Sequence, residues 1–157
     1  MALRKELIEG VSLKQLRLIP DDRGFLIEML RNDWPEFEKF SQSYVTACYP
    51  GVIKAWHYHK KQTDHFACVW GMAKVVLYDP REKSSTHGYV NEFHIGLMNP
   101  TLVKIPPLVY HGFTSEGDGP ILIVNFPTEL YNYKKPDEYR LPYDDAQIPY
   151  DWSHKHG

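Results

Sequence analysis

The stretch that decides the fold is GVIKAWHYHKKQTDHFACVWG, residues 51–71. It places His57, His59 and His65, together with the carboxylate of Asp64, within nine residues. Apolar residues on both sides of this group follow the pattern of two β-strands. Side chains two positions apart on a strand point to the same face, so His57 and His59 are expected to share one. A pocket built from these groups could transfer protons or hold a metal ion.

Two further residues bear on this pocket. Asp64 and His65 are adjacent in a strand pattern, so only one of them can face the pocket, and we expect it to be Asp64. A later strand-like run ends in Ile-Pro-Pro at residues 105–107 and is followed by His111. We expect His111 to face the same pocket.

The composition sets limits on the class of protein. The 157 residues are expected to form a single domain, residues 1–157, large enough to bury a core. A net charge of -2 argues against a nucleic-acid-binding surface. Cys48 and Cys68 are expected to be buried free thiols in a reducing cytoplasm. Residues 1–10 do not resemble a signal peptide, and no apolar run reaches the ~18 residues that a membrane span needs.

The pattern of secondary structure is that of an all-β protein. Many short apolar runs separated by Gly and Pro predict a β-sandwich or barrel. A polar cap at Asn32 or Asp33, with a proline in the first turn, predicts one short helix over residues 35–40. Residues 65–70 and 72–78 are expected to form a hairpin around the single glycine between them. The Pro-rich tail is expected to fold across the barrel.

The central stretch resembles the first sequence motif of the cupin superfamily. That motif is Gly, five residues, His-x-His, three or four residues, Glu, six residues, Gly. Every spacing is kept here, with Asp in place of Glu, at Gly51, His57, His59, Asp64 and Gly71. The second cupin motif, Pro-x-Gly-x-x-His, is partly matched by residues 106–111, where Leu replaces Gly. The resemblance implies a double-stranded β-helix, or jelly roll, with these residues inside the barrel.

Over residues 8–152 the chain also resembles the dTDP-4-dehydrorhamnose 3,5-epimerases, which are cupins. DDRGFLIEML, residues 21–30, resembles the family's Arg-Gly-Phe-Phe-x-Glu segment. KAWHYH, residues 54–59, stands where the family has Arg-Gly-Leu-His-Tyr-Gln. IPPLVYHGF, residues 105–113, resembles Ile-Pro-x-Gly-Phe-Ala-His-Gly-Phe. The tail of residues 131–152 resembles the family's Tyr- and Trp-rich ending.

This resemblance implies an isomerase that acts on a nucleotide sugar of the dTDP-4-keto-6-deoxyhexose type, in deoxysugar or surface polysaccharide biosynthesis. It implies a 3,5-epimerase or single-centre epimerase, without a cofactor, in a cytoplasmic homodimer. His57 matches the family's catalytic base. The implied substrate contacts are Arg23, Glu28, Gln42, Lys54, His111 and Glu138, and His59 is expected to be a further contact or a ligand.

The predicted pocket residues suit epimerisation next to a keto group. The C–H bonds flanking the keto group of such a sugar are acidic, so epimerisation needs a base on one face and an acid on the other. Histidine suits the base because its ordinary pKa lies near neutrality. The enolate oxygen also needs a cation or a hydrogen-bond donor.

Three departures from the family pattern affect the catalytic groups. The family's proton-donating Tyr lies in a Leu-Tyr-Lys segment, which is Val124-Asn125-Phe126 here. The family's pocket Lys falls near Asp64, and its C-terminal Leu-Ser-x-Lys-Asp has no counterpart before Gly157. We therefore expect Tyr131 or Tyr133 to replace the acid.

The missing C-terminal Asp leaves the base without its family partner. A histidine base needs a neighbour that fixes its tautomer. Asp64 is the expected partner of His57, in preference to Asp144 or Asp145 in the tail.

Three other functions stay open at this point. A 3,4-ketoisomerase of the same substrate class carries a His-x-His-Lys motif like residues 57–60. A metal-dependent cupin would use His57, His59, Asp64 and His111 as ligands to a divalent transition metal such as Fe, Mn, Ni or Zn. A sugar-binding protein without turnover would explain the missing acid.

Overall fold

The computed structural model describes residues 5–153, in which twelve β-strands run antiparallel to their neighbours. The strands are β1 (Ser12–Gln15), β2 (Leu18–Asp21), β3 (Gly24–Ile27), β4 (Tyr44–Cys48), β5 (Ile53–Tyr58), β6 (Asp64–Trp70), β7 (Met72–Tyr78), β8 (Val90–Gly96), β9 (Thr101–Ile105), β10 (Tyr110–Ser115), β11 (Ile121–Asn125) and β12 (Tyr139–Arg140).

Ten of these strands form two five-stranded sheets. The first sheet has the order β1-β9-β6-β11-β4, the second has the order β12-β5-β10-β7-β8, and β2 and β3 form a separate hairpin. The two sheets pack face to face, because one apolar cluster joins Phe66 and Ile123 of the first sheet to Val75, Leu77 and Phe113 of the second. The expected cupin jelly roll is confirmed.

The predicted helix over residues 35–40 is wrong, since the structure has no helix within residues 5–153. The segment makes isolated turns instead, such as the one in which the amide of Phe37 donates to the carbonyl of Trp34 at 3.0 Å. A helix would need the Glu36 carbonyl for its own ladder. That carbonyl lies 2.9 Å from Nε2 of the buried His65, so a tertiary contact competes with the helix.

The predicted hairpin around Gly71 is also wrong, although both of its strands exist. β6 pairs with β9 and β11, whereas β7 pairs with β8 and β10. Gly71 has a φ of 72° and carries the chain from one sheet to the other. A Cβ atom there would lie 3.0 Å from the Ile121 side chain, so the crossing favours glycine.

The tail folds across the barrel, as predicted. β12 pairs with β5, and the indole of Trp56 donates to the Tyr143 carbonyl at 3.1 Å. Ile148 and Trp152 are buried against Trp56 in a second apolar cluster. The tail therefore completes the wall of the barrel beside β5.

Both cysteines match the prediction from the sequence. Cys48 and Cys68 are buried free thiols. Within residues 5–153 there is no helix that could cross a membrane.

Candidate functional site

A cavity of about 550 Å³ opens between the two sheets. Its walls follow the two-residue period of the strands: Tyr44 and Thr46 come from β4, Asp64 and Phe66 from β6, and His111 and Phe113 from β10. His57 faces it from β5. Six of the predicted site residues line this cavity: Lys54, His57, His59, Asp64, His111 and Glu138.

The carboxylate of Asp64 lines the cavity and is 1% exposed. Its Oδ2 atom is 3.1 Å from His59 Nε2 and 3.3 Å from His111 Nε2. Its Oδ1 atom accepts hydrogen bonds from the amides of Gln62 at 2.7 Å and Asn125 at 2.8 Å. Burial acts to raise the pKa of Asp64, but the hydrogen bond from His59 and the amide of Asn125 lower it to about 2. Asp64 is thus an anion held by several donors.

His59 is oriented by the tail of the chain. Its Nδ1 donates to the backbone carbonyl of Asp137. The carboxylate of Asp137 in turn accepts the backbone amides of Lys60 and Lys61, each at 2.9 Å. Burial acts to lower the pKa of His59, but the hydrogen bond to Asp64 outweighs it and raises the pKa. Both ring nitrogens face acceptors, so the structure favours the imidazolium.

His111 is 3% exposed, and its pKa shifts in the opposite direction from that of His59. Its Nδ1 lies 3.2 Å from the Val109 carbonyl. Burial lowers the pKa of His111 to about 4, although the charge of Asp64 opposes the change. The Nε2 atom of His111 lies 3.3 Å from Asp64 Oδ2, and across this contact the carboxylate opposes the effect of burial.

His57 has a different environment from the other two histidines. Within residues 5–153 its ring makes no hydrogen bond, and its centroid is 6.3 Å from that of His111. Burial and then the positive charge of Arg140 lower the pKa of His57. The ring is neutral at pH 7 and presents itself to the cavity as a base.

The predicted pairing of Asp64 with His57 is not found. Asp64 is bonded to His59 and adjoins His111 instead. The prediction treated Asp64 as a hairpin neighbour of His57, whereas β5 and β6 lie in different sheets. Asp144 and Asp145 do not line the cavity either. His65 points away from it and contacts the carbonyls of Glu36 and Phe126, as expected from its alternation with Asp64.

Five other predicted residues lie outside this cavity in the single chain. Arg23 and Glu28 lie on and just after the β2–β3 hairpin and pair with Asp21 and Arg31. The rings of Tyr131 and Tyr133 contact each other at 5.1 Å beside a shallow surface depression. Gln42 precedes β4 and is also absent from the lining.

Sequence reasoning missed several residues of the site. Tyr44, Thr46 and Arg140 line the cavity, and Gln62 and Asn125 support Asp64. Tyr44 and Thr46 carry a usable signal, since they alternate with outward-facing residues on one strand. Nothing in the sequence indicated that Asp137 would orient His59.

Leu108 explains the glycine of the second cupin motif. Its φ is 68°, in the left-handed region that favours glycine. Its amide donates to the His59 carbonyl at 2.7 Å. The strained turn therefore fixes the backbone that follows β5 beside the cavity.

The fold and the cavity define a cupin of the sugar-epimerase type. Residues 19–139 match the family described as "Polysaccharide biosynthesis C-terminal domain". The chain belongs to this family.

Individual relatives agree with this family assignment. The chain is 46% identical to the probable low-salt glycan biosynthesis epimerase Agl13 of Haloferax volcanii, over 93% of this chain and 95% of the relative. The crystal structure of a dTDP sugar isomerase from Desulfovibrio desulfuricans superposes with a TM-score of 0.87 and 38% identity, over 92% of both chains.

A dTDP-4-dehydrorhamnose 3,5-epimerase from Elizabethkingia anophelis shares the fold. Its TM-score is 0.80 at 21% identity, over 99% of this chain and 87% of that chain. The fold expected from the resemblance to the 3,5-epimerase family is confirmed.

Replacing Leu108 by Gly tests the backbone strain at the turn before β10, where Leu108 has a positive φ. We expect Leu108→Gly to stabilise the protein by about 0.5 kcal/mol, because relief of the left-handed conformation exceeds the added backbone entropy of glycine. Urea unfolding measures the difference. Leu130→Gly, at an exposed position without a positive φ, should be neutral or destabilising. A Leu108→Gly protein less stable than the parent would contradict the strain.

Proposed function

We propose that the protein is a nucleotide-sugar epimerase. It removes a proton from a carbon next to the keto group of a dTDP-4-keto-6-deoxyhexose and a proton returns on the other face. The observation that carries this proposal is the state of His57. His59 and Asp64 are bonded to each other with His111 beside them, which leaves His57 as the neutral imidazole available to a ligand.

The names of the relatives support the reaction class and the biological role. Agl13 is described as a glycan biosynthesis epimerase, and the isomerase from Desulfovibrio desulfuricans is described as acting on a dTDP sugar. A role in the synthesis of a deoxysugar or surface polysaccharide follows for this chain.

Two cations suit the diphosphate of such a substrate. Lys54 and Arg140 both line the cavity, and Arg140 also pairs with Glu138. Lys54 donates to the hydroxyl of Thr46 at 3.1 Å, which holds the ammonium at the cavity wall. An incoming phosphate oxygen would accept from both cations.

The proposed reaction moves protons only and therefore needs no cofactor. We also propose that the protein acts in the cytoplasm, which is consistent with its two free thiols.

The proposed assembly is a homodimer formed through the β2–β3 hairpin. This hairpin exposes Ile19, Phe25 and Leu26 at 42%, 53% and 57% of their surface. Such an apolar set on a two-stranded ribbon favours burial against another surface. Pairing with a second copy would also bring Arg23 and Glu28 to another chain, where they could contact its substrate.

Substitutions on the hairpin test the dimer. Light scattering should give twice the chain mass for the parent and one chain mass for the Phe25→Asp/Leu26→Asp double variant. Met98→Asp, at a position that is 88% exposed, is the control and should remain dimeric. A parent protein that is monomeric at micromolar concentration would refute the assembly.

Deuterium exchange tests the epimerase. Incubated in D₂O with a dTDP-4-keto-6-deoxyhexose, the protein should place deuterium at C3, at C5 or at both. His57→Asn should lower the exchange by about 10³-fold or more, in keeping with loss of a general base. His87→Asn, at an exposed site, should leave it unchanged.

The product of the reaction distinguishes the epimerase from the two alternative functions, a 3,4-ketoisomerase and a sugar-binding protein. A relocated carbonyl would identify a 3,4-ketoisomerase. Binding of the nucleotide sugar without exchange in the folded parent protein would mean a binding protein, and the epimerase would be excluded.

A metal-dependent cupin is the second candidate, and one observation favours it. The Nε2 atoms of His59 and His111 and a carboxylate oxygen of Asp64 lie within 4.8 Å of one another. The Nδ1 atoms of both histidines face backbone carbonyls, the arrangement that orients metal-bound imidazoles. The donor set therefore fits a divalent transition metal, which would displace the proton between His59 and Asp64.

Elemental analysis of protein purified without chelators tests this candidate. About one equivalent of Fe, Mn, Ni or Zn is expected, with loss of the metal in His111→Gln. His57→Asn should retain the metal because His57 is not among the three clustered residues. Less than one tenth of an equivalent in the parent protein would reject it.

A further inference from the structure

The cavity contains one tyrosine within the described residues, and it is Tyr44. Its phenol oxygen lies 2.9 Å from Nδ2 of Asn125, which acts as the donor. A hydroxyl that accepts a hydrogen bond keeps its own proton for another partner. The Tyr44 O–H is therefore free to donate to a ligand in the cavity.

The position of Tyr44 relative to His57 suits an inversion. Tyr44 is on β4 of the first sheet, and His57 is on β5 of the second. The sheets pack face to face, so their side chains enter the cavity from opposite walls. A sugar ring between them would present one face to the imidazole and the other to the phenol.

Asn125 holds the phenol in place. Its single Nδ2 atom lies 2.9 Å from the Tyr44 oxygen and 2.8 Å from Asp64 Oδ1. Asn125 is fully buried, and its side-chain oxygen accepts the backbone amide of His65 at 3.0 Å. Hydrogen bonds therefore fix both the oxygen and the nitrogen of the Asn125 side-chain amide. The amide in turn fixes the position of the Tyr44 phenol oxygen on this side of the cavity.

From this geometry we propose that Tyr44 is the catalytic acid of the epimerase. The inference rests on the proposed function and names the residue that completes it. Tyr44 is 44% exposed as a whole residue. The partial burial of its phenol, and then the negative charge of Asp64, raise the pKa of Tyr44 to about 12. The phenol therefore carries its proton throughout the physiological range.

The reaction balances with these two residues and water. An imidazole nitrogen of His57 takes the proton from the carbon next to the ketone, and the electrons of that C–H bond form the enolate. Tyr44 gives its proton to the same carbon from the other wall, and the enolate electrons form the new C–H bond as the ketone returns. Water then reprotonates the phenolate and removes the proton from the imidazolium, so no other reactant is needed.

The test separates proton removal from proton return. In D₂O, the parent protein should convert a dTDP-4-keto-6-deoxyhexose into an inverted product that carries deuterium. Tyr44→Phe should still place deuterium in the unchanged substrate, because His57 can return a deuteron to the face from which it took the proton. The inverted product should fall by at least about 100-fold, as expected for loss of a general acid.

Matched variants and binding complete the experiment. Tyr131→Phe and Tyr133→Phe should both invert the substrate at the parental rate, since neither side chain lines the cavity. Calorimetry with dTDP should give the same affinity for Tyr44→Phe and the parent, which shows that the variant is folded and that its binding site is intact.

Each remaining outcome has a defined meaning. Parental inversion by Tyr44→Phe would overturn the assignment of the acid. Loss of both exchange and inversion would also overturn it, because Tyr44 would then act in proton removal or in binding. A parent protein that binds dTDP but shows no exchange would exclude the epimerase itself, and the acid with it.

Discussion

The site depends on one buried charge, the carboxylate of Asp64. A carboxylate removed from water costs several kcal/mol unless it is paired and hydrogen-bonded. Here the compensation comes from four directions: the imidazolium of His59, the adjacent ring of His111, and the amides of Gln62 and Asn125. These groups come from both sheets and from the turn after β5, so the bonds around Asp64 tie together the parts that form the cavity.

The same arrangement divides the histidines by function. His59 is committed to Asp64 and to the Asp137 carbonyl, and His111 is buried beside them. His57 is two residues before His59 and takes no part in these hydrogen bonds. Burial lowers its pKa and so favours the neutral ring. One short stretch of sequence thus provides a charged histidine that holds the site together and a neutral one that can accept a proton.

Much of this could be predicted from the sequence, and the failures share one physical cause. The two-residue period assigned His57, His59 and Asp64 to the interior and His65 away from it, because alternation fixes the face of a strand. Alternation does not say which sheet a strand joins. The β6–β7 hairpin and the pairing of His57 with Asp64 were wrong for that reason, since β6 lies in the first sheet whereas β5 and β7 lie in the second.

The short helix failed for a related reason. The local signals at Asn32, Asp33 and Pro35 were sound, but the contact of His65 with the Glu36 carbonyl could not be read from them. Asp137 was missed because it acts through its backbone carbonyl, and a carbonyl has no signature in the sequence. The absence of the helix and the role of Asp137 both depend on contacts between segments that are distant in the sequence.

The departures from the family pattern become consistent once the contacts are known. His59 stands in place of the family's Gln and is the cation that pairs with Asp64. Asn125 stands in place of the family's Tyr, and its amide donates to both Asp64 and the Tyr44 oxygen. A phenol has one proton and could not donate to both. A phenol at position 125 would offer one proton, which Asp64 would take as its hydrogen-bond donor. With an amide there instead, Asp64 and the hydroxyl of Tyr44 are both satisfied, and the proton of Tyr44 stays available on the wall opposite His57. The two substitutions therefore act together: His59 pairs with the buried Asp64, and Asn125 connects that carboxylate to Tyr44, the proposed acid.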